Sequence, residues 1–155
     1  MFVIDTSSIL HAWRRDYPPD TFPGLWQKME ELALEGTLVA PNEVLLELER
    51  GGDEIYEWAT AHASLFIEPD FDVQEKVREI VDRWPDFVPD DSHDGVWADP
   101  YVVAIAAIRS GAVVTGEVTA SQGARRPKIP NICHAMGIQC MNLLGLLRSS
   151  GWTFW

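Results

Sequence analysis

An α/β fold, built as three layers with a central, mostly parallel sheet between helices, is what two regularities of this sequence predict. Short apolar runs (Phe2-Val3-Ile4, Thr37-Leu38-Val39-Ala40 and Ala112-Val113-Val114-Thr115) recur along the chain, and each is followed by polar or turn-forming residues. Segments of helical periodicity lie between them, so that strand and helix alternate to the end of the chain. This order gives a parallel sheet with right-handed crossovers. With 155 residues, 46% of them hydrophobic and 23% charged, the chain has the size and composition of one globular domain spanning 1–155.

Each element has its own signal. Phe2-Val3-Ile4 forms a first strand that stops at Asp5 and Thr6-Ser7-Ser8. Phe22, Leu25, Trp26, Met29, Leu32 and Ala33 share one face of a helix that Asp20 and Thr21 would cap and Gly36 would stop. After the second strand, Pro41-Asn42 opens a helix through Glu43, Val44, Leu45, Glu47 and Leu48 to Gly51-Gly52. A helix over 53–63, a short strand at Leu65-Phe66-Ile67 and a helix over 72–84 follow. Residues 85–98 read as an acidic loop. Asp99-Pro100 opens an apolar helix that Ser110-Gly111 closes, and a strand over 112–115 leads into a polar loop. A helix over 131–136 ends at Gly137, and a last strand over 138–141 and a short helix over 143–147 precede the tail.

Composition excludes several classes of function. No apolar run approaches the ~20 residues that span a bilayer, and the start Met-Phe-Val-Ile-Asp lacks a basic leader, so a cytoplasmic protein without membrane association is expected. Cys133 and Cys140, seven positions apart, and four scattered histidines suggest neither a disulfide framework nor a zinc site. Buried, reduced thiols are expected. Asp90-x-Ser92-x-Asp94-Gly95 opens like a calcium loop, but Tyr101 stands where the bidentate Glu belongs. Ser7 and Ser8 lack a nucleophile-elbow context, and no phosphate-cradling glycine motif is present. The seven tryptophans read as core and interface residues, Trp26 and Trp84 among them. A formal net charge of −12 opposes passive nucleic-acid binding, so any such role needs metal ions, a basic partner or local basic stretches. Those stretches are Arg14-Arg15 and Arg125-Arg126-Pro127-Lys128.

The acids at strand-to-helix transitions are the most informative residues. In a parallel sheet those transitions share one edge, so Asp5 and the Glu43/Glu47 helix would converge there, with Asp99 and Glu117 approaching from neighbouring elements. Carboxylates brought together raise one another's pKa and call for cations between them; Mg²⁺ or Mn²⁺ suits such ligands. Each acid also has a structural reading. Asp5 is well placed to cap a helix, and Asp99-Pro100 reads as an N-cap followed by proline at N1. Glu43 and Glu47, spaced i,i+4, are consistent with a solvated helix face, Glu43 being in the first turn, where the macrodipole favours negative charge. Glu117 reads as a loop acid.

Val3-Ile4-Asp5-Thr6-Ser7-Ser8, Pro41-Asn42-Glu43-Val44-Leu45-Leu46-Glu47-Leu48, Ala98-Asp99-Pro100-Tyr101-Val102-Val103-Ala104 and Val113-Val114-Thr115-Gly116-Glu117 together resemble the ordered acidic motifs of a PIN domain. The resemblance spans nearly the whole chain and is nearest to a bacterial PIN-like family of unknown function related to the VapC toxins. The segments Trp13 to Pro19 and Ile129-Pro130-Asn131 to Asn142 add to it. It implies a metal-dependent endoribonuclease, the toxin of a toxin–antitoxin pair, in which Asp5, Glu47, Asp99 and Glu117 hold Mg²⁺ or Mn²⁺. Thr6 or Ser7 would support the Asp5 carboxylate, with Glu43 nearby. Arg14, Arg15, Arg125, Arg126 and Lys128 would contact RNA. A cognate antitoxin protein and a homodimer are the partners implied. The chain departs from the toxin pattern in carrying Gly116-Glu117 where Thr-x-Asp is common.

Three other readings compete. A PIN-like interaction module would keep the fold without catalysis. A haloacid-dehalogenase-type phosphatase also places Asp after its first strand, but it expects a second acid where this chain has Ser7. A purely structural α/β domain would leave acids at several strand-to-helix transitions without a role.

Overall fold

The computed structural model describes residues 1–51, 53–89 and 97–154. The calcium-loop comparison at 90–95, most of the expected acidic loop and Gly52 lie outside the described residues.

Five short strands form one parallel sheet: β1 (Phe2–Ile4), β2 (Leu38–Pro41), β3 (Phe66–Ile67), β4 (Ala112–Val114) and β5 (Cys140–Met141), in the order β3-β2-β1-β4-β5. Val3 is level with Val39 on one side and Val113 on the other, and all three side chains are buried. Being enclosed on both faces, β1, β2 and β4 read as continuous apolar runs without alternation. Burying each Val or Ile side chain there contributes roughly 1.5–3 kcal/mol.

The helices are α1 (Thr6–His11), α2 (Pro23–Leu34), α3 (Asn42–Gly51), α4 (Glu54–Ala61), α5 (Phe71–Arg83), α6 (Asp99–Arg109), α7 (Ile129–Met136) and α8 (Leu143–Ser149). They flank the sheet and complete the three layers. α6, apolar almost all round, packs on β1, β2 and β4 and against α5 and α7. The chain runs outward from β1 through β2 to β3, then returns through α5 and α6 to place β4 on the other side of β1. The direction of travel therefore reverses between β1 and β4, and a crevice opens beyond their carboxyl ends.

Several boundaries differ from the expected ones for physical reasons. The N-cap of α2 is Phe22 and carries no side-chain cap, because Asp20 and Thr21 belong to a turn in which the Thr21 and Phe22 N–H groups donate to Pro18 O. Pro41 ends β2 instead of opening α3, since a proline at a strand end loses no ladder bond that it could have made. α1 runs on into a π-helical turn, Ala12–Asp16, for which the sequence carries no signal. Trp26 joins Trp13 and Trp58 in an edge-to-face cluster, whereas Trp84 lies just past the end of α5, half-buried, with the Arg83 guanidinium 4.3 Å from its ring centroid. Cys133 is buried and Cys140 half-buried, and both are free thiols.

Glycine is required where β4 begins. Ser110 takes the left-handed position at the end of α6 with φ 53°, and a Cβ on Gly111 would stand 3.1 Å from Met1 O. The close approach lets Ala112 N–H donate to Met1 O and sets the β1/β4 register.

Candidate active site

Asp5 follows β1 and is 1% exposed. Its Oδ1 accepts from Ser8 N–H at 2.8 Å, which makes it the N-cap of α1. Its Oδ2 accepts from Ser7 Oγ at 2.8 Å and from Thr115 Oγ1 at 2.5 Å. A carboxylate offers about four lone-pair directions, so three are taken and one is left for an external ligand. The capping and functional readings of Asp5 thus hold together: the cap orients the group without exhausting it. Burial pushes the Asp5 pKa up, the bonds from Thr115, Ser8 and Ser7 pull it down, and the charge of Glu117 raises it.

Thr115 follows β4 as Asp5 follows β1, and the two sit side by side because those strands are neighbours in parallel register. Its Oγ1 also accepts from Glu117 N–H at 3.0 Å, and the next residue, Gly116, donates its N–H to Ser7 Oγ at 3.0 Å. The β4 loop is therefore stitched to the α1 N-terminus. A Cβ at Gly116 would meet His11 Nδ1 at 2.6 Å and Ser7 Oγ at 3.2 Å, so a side chain there would displace the His11 ring and crowd the Ser7 hydroxyl. The Glu117 carboxylate turns toward α7, accepting Ile129 N–H at Oε2 at 3.0 Å, where it complements the positive end of that helix.

Glu47 projects from α3 between α1 and α6. It accepts from Thr6 Oγ1 at Oε1, 2.5 Å, and from Ala98 N–H at Oε2, 3.4 Å. Burial raises its pKa, the bonds from Thr6 and Ala98 lower it, and the Glu117 charge raises it. Thr6 therefore supports Glu47, and Ser7 supports Asp5. Glu43 lies one turn away, with Oε2 buried and unpartnered among the described residues. Burial and the charge of Glu68 raise its pKa, and it in turn raises that of Tyr101.

Asp99 corrects the capping expectation. Ala98 is the N-cap of α6, with Asp99 at N1 and Pro100 at N2, and the helix has no side-chain cap. Helix start is one residue earlier than Asp-Pro suggests, so the Asp99 carboxylate caps nothing and accepts no hydrogen bond from a described residue. Burial, then the charges of Glu117, Asp5 and Glu47, push its pKa up to about 8, against a smaller opposing effect of Arg126. The three expected companions of Asp99 are thus the charges that act on it.

Among the described residues no three His, Cys, Asp or Glu side chains form a ready-made ligating cluster. The donor set nonetheless fits a hard divalent cation in its chemistry: it is all carboxylate, and Asp99 is a half-buried acid among like charges with no hydrogen bond from a described residue.

The five basic residues part company. Arg126 lies 4.8 Å from the Trp97 ring centroid, and these two with Pro127 and Lys128 border a cavity of about 210 Å³ whose other wall is Asp99 and Glu117. Arg15 is bonded to Asp16 at 2.9 Å beside a cavity on the other side of Gly116. Arg14 pairs with Asp53 at 3.1 Å and Arg125 with Asp86 at 3.6 Å, all four exposed and away from the carboxylates. A cavity of about 670 Å³ opens at the amino ends of the strands, beside Met1, Gly111 and Ile138, at the opposite end of the sheet from the carboxylates. No described helix is long and apolar enough to cross a membrane.

Thr115 is the Asp5 partner that sequence reasoning missed, whereas the Ser8 N–H bond is the expected helix cap; the hydroxyl just after β4, beside the end of β1, was the available signal for Thr115.

A family model described as "Domain of unknown function (DUF4411)" matches residues 2–154. A search of curated proteins finds no match. Among solved structures, VapBC2 from Rickettsia felis, bound to a DNA fragment from its promoter, is similar at a TM-score of 0.53, with 14% identity over 91% of this chain and 97% of that chain. That likeness bears on the fold, and the α/β sheet flanked by helices is PIN-like.

Proposed function

The chain belongs to the DUF4411 family of unknown function, so its activity must be argued from its site, and we propose that it is a metal-dependent endoribonuclease. The observation that carries this reading is Asp99, a half-buried acid without a hydrogen-bonding partner among the described residues, its pKa raised to about 8 by desolvation together with the charges of Glu117, Asp5 and Glu47. A fold that keeps such an arrangement spends stability on it, which is common at functional sites.

Asp5, Glu47, Asp99 and Glu117 would hold Mg²⁺ or Mn²⁺, which when bound supplies an activated water and positive charge for the leaving oxygen of a phosphodiester. The chain's own residues orient the site. Ser7, Ser8 and Thr115 fix Asp5 in one rotamer; Thr6 and the Ala98 N–H do the same for Glu47. Glu117, held here by Ile129 N–H, would have to turn from that bond to reach the shared centre. Arg126 and Lys128 bring cationic groups to the wall facing Asp99, offsetting locally the repulsion of RNA by a chain of net charge −12.

The toxin role, a cognate antitoxin and a homodimer belong to the same reading. They rest on the resemblance in sequence and on the fold neighbour, whose own description is of VapBC2 bound to a DNA fragment from the promoter. A second reading, an interaction module with this fold, is favoured by the lack of a ready-made ligating cluster among the described residues.

The deciding experiment is incubation of a mixed RNA pool with purified wild-type protein and Asp5→Asn, in Mn²⁺, Mg²⁺ or chelator. Cleavage by wild type alone, stopped by chelator, is the expected result. No cleavage with either metal, together with no heat of divalent binding by calorimetry, turns the assignment to the interaction module.

A further inference from the structure

We propose that the cavity on the α1 side of Gly116 is a nucleobase subsite for single-stranded RNA, a reading that rests on the nuclease assignment above. The cavity is about 240 Å³ and is separated from the Asp99 pocket by the loop itself: Gly116 borders the first and Glu117 the second. A strand whose phosphodiester lies over the carboxylates therefore has a recess beside it for a neighbouring base.

One wall is a single helical stripe, Ser8, His11, Ala12 and Arg15, spaced i, i+3, i+4, i+7 through α1 and its π-helical extension. π-helical turns recur at functional sites. The independent observation is Ser8. Only 3% exposed, it borders the cavity with its hydroxyl unpartnered among the described residues, while its backbone N–H is committed to Asp5. A buried hydroxyl left unbonded opposes folding, so the group is explained by a ligand that completes its bonding.

The lining selects the class of ligand. Ala12, Leu143 and Leu144 give apolar walls, His11 a ring face, and Ser8 and Asn142 a polar edge. Asn142 accepts Gly145 N–H at its side-chain oxygen, so its amide NH₂ is what it offers a ligand. A planar base has apolar faces and a hydrogen-bonding rim, and unstacked RNA bases bind on such surfaces. A phosphate suits the cavity less well, because Arg15 is already bonded to Asp16 through both Nε and a terminal nitrogen and the pair brings no net charge.

The test is an amide NMR titration of the full chain in chelator with adenosine, cytidine, guanosine and uridine. These probes are uncharged, so repulsion by the acidic protein does not enter. At least one is expected to shift the amides of Ser8, His11, Gly116 and Asn142. Ser8→Ala should weaken that binding about threefold to tenfold, the loss of one hydrogen bond, with no fall in Tm because no internal bond is removed. Leu144→Trp, which fills the cavity from an exposed position, should weaken it more than tenfold. Shifts absent for all four nucleosides, or equal affinity in both variants, overturn the subsite. RNA cleavage by wild type with unchanged base preference in Leu144→Trp also overturns it while leaving the nuclease standing. Nucleoside binding lost in the variants, with no cleavage by wild type in any metal, supports the subsite and rejects the nuclease.

Discussion

Thr115 Oγ1 donates to Asp5 Oδ2 at 2.5 Å across 110 positions of sequence, and the same oxygen accepts Glu117 N–H at 3.0 Å. One hydroxyl thereby ties the central acid to the loop carrying the fourth, and it is the largest influence opposing the upward push of burial on Asp5.

Thr115→Val keeps the shape and removes that hydroxyl. It should destabilise the protein by about 1–3 kcal/mol, because a buried acceptor loses a partner, which is roughly 2–10 °C in Tm for a chain of this size. It should also raise the Asp5 pKa further, moving the acid limb of the cleavage profile to higher pH. An unchanged profile with lowered Tm would make Thr115 a purely structural residue.

Asp5→Asn should abolish cleavage, by at least ~10³-fold if Asp5 is the central ligand, yet leave the fold intact. Asparagine keeps an oxygen for Ser8 N–H, and the hydroxyls of Ser7 and Thr115 rotate to accept from its NH₂. Circular dichroism and Tm close to wild type, beside lost cleavage, are the expected pair of results; loss of folding along with activity counts against the assignment.

Glu117→Gln should cost less, about tenfold or below, since the amide oxygen still accepts Ile129 N–H and preserves the start of α7. A loss as large as that of Asp5→Asn would place Glu117 at the centre of the chemistry. Glu117→Ala, by contrast, leaves the Ile129 N–H without its partner and should lower Tm by about 2–4 °C, as expected for ~1 kcal/mol.

The order of strands and helices is readable from the sequence because β1, β2 and β4 are buried on both faces and are written in unbroken apolar residues. β3 and β5, two residues each at the sheet edges, carry little of that signal, and the start of β5 was expected two residues early, its end at Met141 agreeing. The convergence of Asp5, Glu47, Asp99 and Glu117 follows from parallel strand order once that order is granted. What could not be read was the choice of partners. Thr6 and Ser7 are adjacent hydroxyls with equal claims on Asp5; only the direction of α1 sends one to Glu47 and the other to Asp5. The freedom of Asp99 depends on α6 starting one residue earlier than Asp-Pro suggests, a shift within the ordinary uncertainty of helix ends.

If Asp99 holds the proposed metal, stability should depend on pH and metal together. An acid whose folded pKa lies above its unfolded value binds more protons folded than unfolded between the two, so stability falls as pH rises through that window. For Asp99 the window runs from the ordinary 3.8 to about 8, and the cost is complete above it. Asp5, Glu43 and Glu47, also raised, act in the same sense. In chelator, wild-type Tm should therefore decline from pH 5 to pH 8, whereas Asp99→Asn should decline less and exceed wild type by about 5 °C at pH 8. Mn²⁺ at a hundredfold excess over its Kd should restore wild type by about 2.7 kcal/mol, and Asp99→Asn much less. Thermal melts across that pH range with and without Mn²⁺ test both statements. An equal Mn²⁺ shift in the variant would remove Asp99 from the metal site, and a wild-type Tm flat with pH in chelator would mean that its charge is relieved by a route other than protonation.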